Sequence, residues 1–85
     1  MRRSYFADLA NETKTELTWN YGELITTVEI EDYYITLFLL DNFYVEIFID
    51  KFNNELVDIN IQDDDDILYA YIKDISLGEL IGQNK

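Results

Sequence analysis

The chain has no cysteine, no histidine and no proline, and only three glycines in 85 residues. The lack of cysteine excludes a disulfide framework, a thiol nucleophile and a cysteine-based metal site. The lack of histidine removes the usual general base, the usual zinc ligand and the physiological pH switch. Because proline is absent, turns must be identified from Gly, Asn and Asp. An intracellular protein, free of disulfides, is compatible with this composition.

Targeting and membrane-spanning signals are also missing from the printed sequence. Residues 1–7 begin like a signal peptide, but Asp8 ends an apolar run of three residues, whereas a secretory signal needs ~7 to 15. The longest uncharged apolar block, residues 33–40, is too short to span a bilayer as a helix. We therefore expect a soluble, cytoplasmic protein.

Acidic residues dominate the charge, with 18 Asp and Glu against 6 Lys and Arg, which gives a net charge of −12. Lys51 is the single base between Thr15 and Ile72, the stretch in which most of the strands are expected. A hydrophobic fraction of 48% argues against general disorder. The charge argues against direct nucleic-acid binding and against adhesion to anionic membranes, because both surfaces are negative. It favours a partner with a basic surface.

Hydrophobic periodicity predicts a helix, then strands, then a helix. Helical spacing predicts a helix over about 4–12, with Ser4 as its N-cap. It also predicts a helix over about 64–75 and a short helix over about 77–81. Alternation predicts strands over about 15–20, 23–31, 33–40, 43–50 and 55–62. Asp41-Asn42 suits a tight hairpin. The prediction is one small acidic α+β domain over 1–85, in which an antiparallel four- to five-stranded meander carries a short N-terminal helix and a packed C-terminal helix.

The alternation also divides the predicted sheet into two faces. The core face, expected under the C-terminal helix, carries Val28, Ile30, Ile35, Leu37, Leu39, Val45, Ile47, Ile49, Val57, Ile59 and Ile61. The mixed face carries Ile25, Thr27, Glu29, Tyr34, Thr36, Phe38, Tyr44, Glu46, Phe48, Asp50, Asp58 and Asn60.

The mixed face has two interpretations. It is either partly covered by the N-terminal helix and otherwise solvated, or it is a binding surface with an exposed aromatic patch and an acidic rim. The predicted patch consists of Tyr34, Phe38, Tyr44 and Phe48, and its rim of Glu29, Glu46, Asp50 and Asp58. A homodimer through this face is a third alternative, although facing carboxylates would repel each other.

Two further segments attract attention. Phe52, in an Asn-rich turn, is expected at a loop tip and folded back over the edge of the core.

The run from Asp63 to Asp66 differs from a calcium loop, because its acids are consecutive and Ile67 follows without a glycine. Aspartates at a helix start instead predict an N-cap and a favourable interaction with the helix dipole. The remaining carboxylates of the run form a dense negative spot. No metal or other cofactor is expected.

Enzymatic chemistry finds little support. A pair of carboxylates for glycoside hydrolysis must lie ~5 to 9.5 Å apart across a sugar cleft, and so small a domain has little room for one. Ser4 and Ser76 are interpreted as helix caps, and Gly22, Gly78 and Gly82 form no phosphate-binding loop. We expect a protein that is not an enzyme.

The leading hypothesis is therefore an inhibitor or adaptor that occupies a basic surface of a macromolecule. In its strongest form it mimics nucleic acid against a nucleic-acid-binding protein. In size, charge and sheet-rich character the chain resembles small acidic phage-encoded inhibitors of restriction or CRISPR systems, although no motif assigns it to a family. The candidate partner-binding residues are Glu29, Tyr34, Phe38, Tyr44, Glu46, Phe48, Asp50, Asp58, Asp63, Asp64, Asp65 and Asp66. The alternatives are a regulatory or immunity-type interaction module that uses the aromatic face, and a bacterial domain whose acidity serves only solubility.

Overall fold

The computed structural model describes residues 1–73. Its elements are α1 (Arg3–Ala7), α2 (Asn11–Tyr21), β1 (Glu23–Ile30), β2 (Tyr33–Leu40), β3 (Phe43–Asp50), β4 (Leu56–Gln62) and α3 (Asp65–Lys73). The strands form one antiparallel sheet in the order β1-β2-β3-β4. The predicted α+β class is thereby confirmed, and the predicted four- to five-stranded meander has four strands. The predicted short helix over 77–81, and the end of the predicted helix over 64–75, lie outside the described residues.

The N-terminal region differs from its prediction. The predicted helix over 4–12 is interrupted, since α1 ends at Ala7 and α2 begins at Asn11. The predicted strand over 15–20 is wrong, because these residues belong to α2. No helix within residues 1–73 combines the length and the apolar character needed to cross a membrane.

Threonines explain why α2 has the sequence pattern of a strand. Thr18 is fully buried, and its hydroxyl donates to the carbonyl of Lys14 at 2.7 Å. The hydroxyl of Thr15 donates to the carbonyl of Asn11 at 2.8 Å in the same way. These bonds satisfy the hydroxyls within the helix. Because a buried position is a threonine, the apolar residues of α2 do not show helical periodicity.

Gly22 permits the close passage from α2 into β1. A Cβ at this position would lie 2.6 Å from the carbonyl oxygen of Thr18 and 3.3 Å from the ring of Phe38. The first distance is shorter than real Cβ contacts, so a side chain here would force the backbone to move. Glycine therefore allows α2 to end directly against the sheet.

The turn at Asp41-Asn42 determines which residues of β2 and β3 share a face. Leu40 pairs with Phe43 across this two-residue turn, and the register continues with Phe38 opposite Val45. Asp41 has a positive φ of 55°, which suits such a turn. Partners across antiparallel strands point to the same side. Phe38 and Val45 therefore lie on one face, and the predicted division into a core face and a mixed face is wrong.

Helices instead cover both faces of the sheet. The α1/α2 face is built from Phe6, Phe38, Leu40, Phe43, Val45, Ile47 and Ile59, with Leu9, Leu17, Ile49 and Ile61 packed against them. The α3 face is built from Ile35, Leu37, Ala70 and Tyr71, with Val28, Ile30, Tyr44, Phe48, Ile67 and Leu68 packed against them. Val57, predicted in the core, is exposed where the β3–β4 register shifts.

A buried polar group ties α3 to the sheet. Glu46 is only 4% exposed, and its carboxylate accepts hydrogen bonds from the Tyr71 hydroxyl at 2.7 Å and from the Asn60 amide at 3.0 Å. Burial, followed by the hydrogen bond to Glu46, raises the pKa of Tyr71 above its ordinary value of 10.0. Below pH 10.0 the Tyr71 hydroxyl is protonated in both the folded and the unfolded protein, so its contribution to stability is complete. At more alkaline pH the unfolded chain releases the proton first, and this contribution is lost. A buried carboxylate requires hydrogen-bond donors. The Tyr71 hydroxyl is one of them, so α3 must dock with Tyr71 beside Glu46.

We expect Tyr71→Phe to lower the free energy of unfolding by about 1 to 3 kcal/mol, because it removes a donor from a buried carboxylate. In a Glu46→Gln background the same change should cost less, since no buried charge is left uncompensated. Urea denaturation of the four proteins measures both values. Tyr69→Phe, at an exposed position of α3, is the matched control. Equal costs for Tyr71→Phe and Tyr69→Phe would contradict the role assigned to this hydrogen bond.

Candidate functional site

The predicted aromatic patch is divided between the two faces. Phe38 is buried on the α1/α2 face, where its ring contacts Trp19 edge-on with centroids 5.0 Å apart. Tyr34 lies on the same side and is 37% exposed. Tyr44 and Phe48 pack against the α3 cluster on the opposite side. These four residues therefore do not form one exposed surface, and Glu46 of the predicted rim is buried.

The exposed carboxylates are the more informative feature. Among residues 1–73, every Asp and Glu is exposed except Glu46 and Asp50. Several of them meet where the β1–β2 and β3–β4 turns lie side by side. We call this region the acidic end and define it as Glu29, Glu31, Asp32, Asp50 and Glu55. It combines two strand acids, the exposed Glu29 and the half-buried Asp50, with three exposed acids of the two turns, Glu31, Asp32 and Glu55.

Lys51 connects the β3–β4 turn to the β1–β2 turn by hydrogen bonds. Its backbone N–H donates to the carbonyl of Asp32 at 2.9 Å, and its ammonium donates to the carbonyl of Glu31 at 2.7 Å. The same ammonium forms an ion pair with Glu29 and lies 5.8 Å from the centre of the Tyr34 ring. The one base of this region is thus held by local contacts. Within residues 1–73, none of the ion pairs involves Glu31, Asp32 or Glu55.

The β3–β4 turn is ordered by its own side chains. The Asp50 carboxylate accepts from the backbone N–H of Phe52 at 2.7 Å and of Asn53 at 3.3 Å, and Asn53 accepts from Glu55 at 3.0 Å. Asp50 therefore has a structural role in the turn. Phe52 is 82% exposed at the tip. The expectation that it folds back over the core is wrong, because the turn directs its side chain away from the sheet.

Glu31 occupies a strained backbone position. Its φ is 48°, in the left-handed region that glycine and asparagine adopt most readily. Such a conformation costs of order 1 kcal/mol or more for other residues. The carbonyl contact from Lys51 helps to hold it. The turn therefore carries an acidic side chain at a surface position that glycine would occupy with less strain.

The opposite end of the sheet mixes acids with bases. The N-terminal ammonium forms an ion pair with Asp41, and Arg3 forms one with Asp63. Asp58, also predicted as a contact, is not part of this end: it lies exposed on β4 opposite Phe48, towards the acidic end, and accepts a hydrogen bond from the Ile59 N–H at 2.9 Å. The acids of the opposite end are thus partly neutralised by neighbours.

The aspartate run begins α3. The Asp64 carboxylate accepts from the backbone N–H of Asp66 at 2.9 Å and of Ile67 at 3.3 Å, which is the geometry of an N-cap. Asp65 and Asp66 lie in the first turn, where the helix dipole favours acids. In the part of the chain that the structure describes, no three acidic side chains are grouped so as to hold a metal ion.

No family model matches this chain, and neither the curated proteins nor the solved structures yielded a match. The interpretation of the site therefore depends on its own residues.

The acidic end includes acids that were not among the candidate residues. Glu31, Asp32 and Glu55 were absent from the predicted set, as was the exposed Phe52. The signal for them was the meander itself, because its first and third turns lie at the same end of the sheet. Of the predicted residues, the structure brings together Glu29, Tyr34 and Asp50 at this end, but it places Phe38, Tyr44, Phe48 and the aspartate run elsewhere.

We expect Asp64→Ala to lower the free energy of unfolding by about 1 kcal/mol, because it removes the acceptor for two N–H groups at the start of α3. Asp64→Asn should retain most of this stability, since asparagine keeps an acceptor oxygen. Asp65→Ala, which removes the same charge from a position without a cap hydrogen bond, serves as control. Thermal denaturation compares the variants. If Asp64→Asn were as unstable as Asp64→Ala, charge rather than capping would explain the role of Asp64.

Proposed function

We propose that this protein is a non-enzymatic binding protein that occupies a basic surface of a macromolecular partner through its acidic end. The observation that supports this most directly is the cluster of exposed carboxylates on two adjoining turns. The nearest base, Lys51, is held by local contacts. A basic surface would neutralise this cluster.

Electrostatics gives such a site an advantage in rate as well as in affinity. Complementary charge steers diffusional encounter and suppresses wrong partners. Phe52, exposed at the tip of the β3–β4 turn, adds apolar area that the carboxylates of the acidic end lack. Aromatic residues surrounded by a polar rim are typical of interface centres.

Mimicry of nucleic acid is the narrower form of the proposal. Duplex DNA carries one charge per ~1.7 Å of axis, whereas carboxylates on one face of a strand lie at least ~6.5 Å apart along it. The acidic end raises the local density through its turns. A basic groove of a nucleic-acid-binding protein is thus one class of partner, and a basic patch of another protein requires less exact matching of charge positions.

A variant with Glu31→Gln, Asp32→Asn and Glu55→Gln should lose the partner. The matched control carries Asp8→Asn, Glu23→Gln and Asp65→Asn, which change the net charge equally at exposed sites away from the acidic end. Each protein is immobilised and exposed to lysate of the native host, and bound proteins are eluted with a salt gradient. We expect one basic protein to be retained by the native and control proteins but not by the acidic-end variant.

Equal retention by all three proteins would contradict the assignment to the acidic end, and recovery of no specific protein would favour acidity that serves only solubility. Added DNA or RNA tests the narrower form. Competition by nucleic acid for the retained protein supports mimicry. Retention unaffected by nucleic acid limits the proposal to a basic protein surface that does not bind nucleic acid.

A further inference from the structure

A second acidic surface lies between α2 and β4. Glu12, Thr15, Glu16 and Trp19 of α2 line an open groove together with Leu56 of β4, and its volume is about 390 Å³. We call it the Trp19 groove and define it by these five residues. It is separate from the acidic end in composition, because none of the acids that define that end lines it.

Trp19 is held in place and yet accessible. One side of its indole contacts the ring of buried Phe38 at an interplanar angle of 81°, and Gly22 allows the helix to end close to that ring. The side chain remains 54% exposed. An exposed tryptophan that is fixed by packing loses little conformational freedom on binding, and tryptophan is enriched among residues that dominate binding energy.

The two glutamates of the groove repel each other. Glu12 and Glu16 are four residues apart on α2, so their side chains are neighbours on one helix face, and like charges at this spacing destabilise a helix. Among residues 1–73, none of the ion pairs includes either glutamate. A cation between them would relieve this repulsion, which makes the charge of the groove complementary to a basic group.

We propose that the Trp19 groove binds an arginine side chain from a basic segment of a protein partner. The planar guanidinium stacks on an aromatic face and donates in a fork to carboxylates, whereas a lysine ammonium is more strongly hydrated and does neither as well. Trp19 and Leu56 provide the apolar floor for the arginine stem, and Glu12 and Glu16 accept its hydrogen bonds. The inference rests on the proposed function only in that the partner is basic.

Trp19 is the single tryptophan of the chain, so emission that is excited selectively over the seven tyrosines reports on the groove. The probes are unlabelled hexa-arginine and hexalysine for the emission of Trp19, and the same peptides carrying fluorescein for an anisotropy measurement of total binding. We expect hexa-arginine to change the Trp19 emission saturably and to bind roughly 2- to 5-fold more tightly than hexalysine. Peptide bound at the acidic end adds to the anisotropy, so the emission change of Trp19 is the measurement that is assigned to the groove.

Glu12→Gln with Glu16→Gln should weaken the fluorescence response to hexa-arginine roughly 3- to 10-fold in concentration. The matched control, Glu31→Gln with Asp32→Asn, removes equal charge from the acidic end at the turn away from Leu56 and should leave that response unchanged. Trp19→Phe, which keeps a ring against Phe38, should reduce the preference for arginine over lysine in the anisotropy measurement. Circular dichroism shows whether each variant keeps its fold.

The outcomes separate this inference from the proposed function. Peptide binding without a change in Trp19 emission, or a response that is lost equally in the control variant, overturns the groove and leaves the acidic end as the binding surface. Absence of any hexa-arginine binding also overturns the groove, while the acidic end is judged by its own retention experiment. A Trp19 response lost only in the Glu12 and Glu16 variant supports the groove, even if the acidic-end variant retains its partner in lysate.

Discussion

The two-residue turn at Asp41-Asn42 is the constraint on which the rest of the structure depends. It pairs Leu40 with Phe43 and so determines which side chains of the two central strands share a face. Shifting this pairing by one residue would move every side chain of β3 to the other side of the sheet. The buried carboxylate of Glu46 would then face α1 and α2, where the cluster consists of apolar side chains. Both helical layers depend on this register.

Covering both faces allows a short chain to bury much of a four-stranded sheet. The central strands carry apolar residues on both sides, so residues 33–40 form a nearly continuous hydrophobic run. Such runs are typical of strands buried on both faces. With the interior assigned to two packed layers, exposed apolar groups become informative, and Phe52 and Trp19 are two that lie beside exposed acids. Both proposed binding surfaces follow from this division between packed faces and the remaining surface.

The positions of β1 to β4 and α3 were predictable, because alternation and helical spacing were clear and Asp or Asn marked the turns. The helix α2 was not, because Thr18 occupies its buried position and Leu17, Trp19 and Tyr21 resemble an alternating strand. The predicted division into faces was wrong because side chains were assigned to a face by residue type. The two-residue turn already implied that Leu40 and Phe43 share a side. The acidic end required only that both turns be placed on one end of the meander. The hydrogen bond between Tyr71 and Glu46 depends on the docking of α3, which no local pattern encodes.

The α3 face has a consequence for the order in which the chain assembles during synthesis. The helices α1 and α2 precede the sheet, whereas α3 follows it. As the chain emerges from the ribosome, the strands can close against their N-terminal layer while the other side still lacks its cover. During that interval Ile35, Leu37 and Phe48 are exposed to water, and such surfaces promote aggregation of nascent chains. Glu46, in the middle of that side, is then a hydrated charge among apolar groups. The carboxylate that accepts the hydrogen bond of Tyr71 in the folded protein thus occupies the position of a gatekeeper charge beside an unavoidable hydrophobic strand.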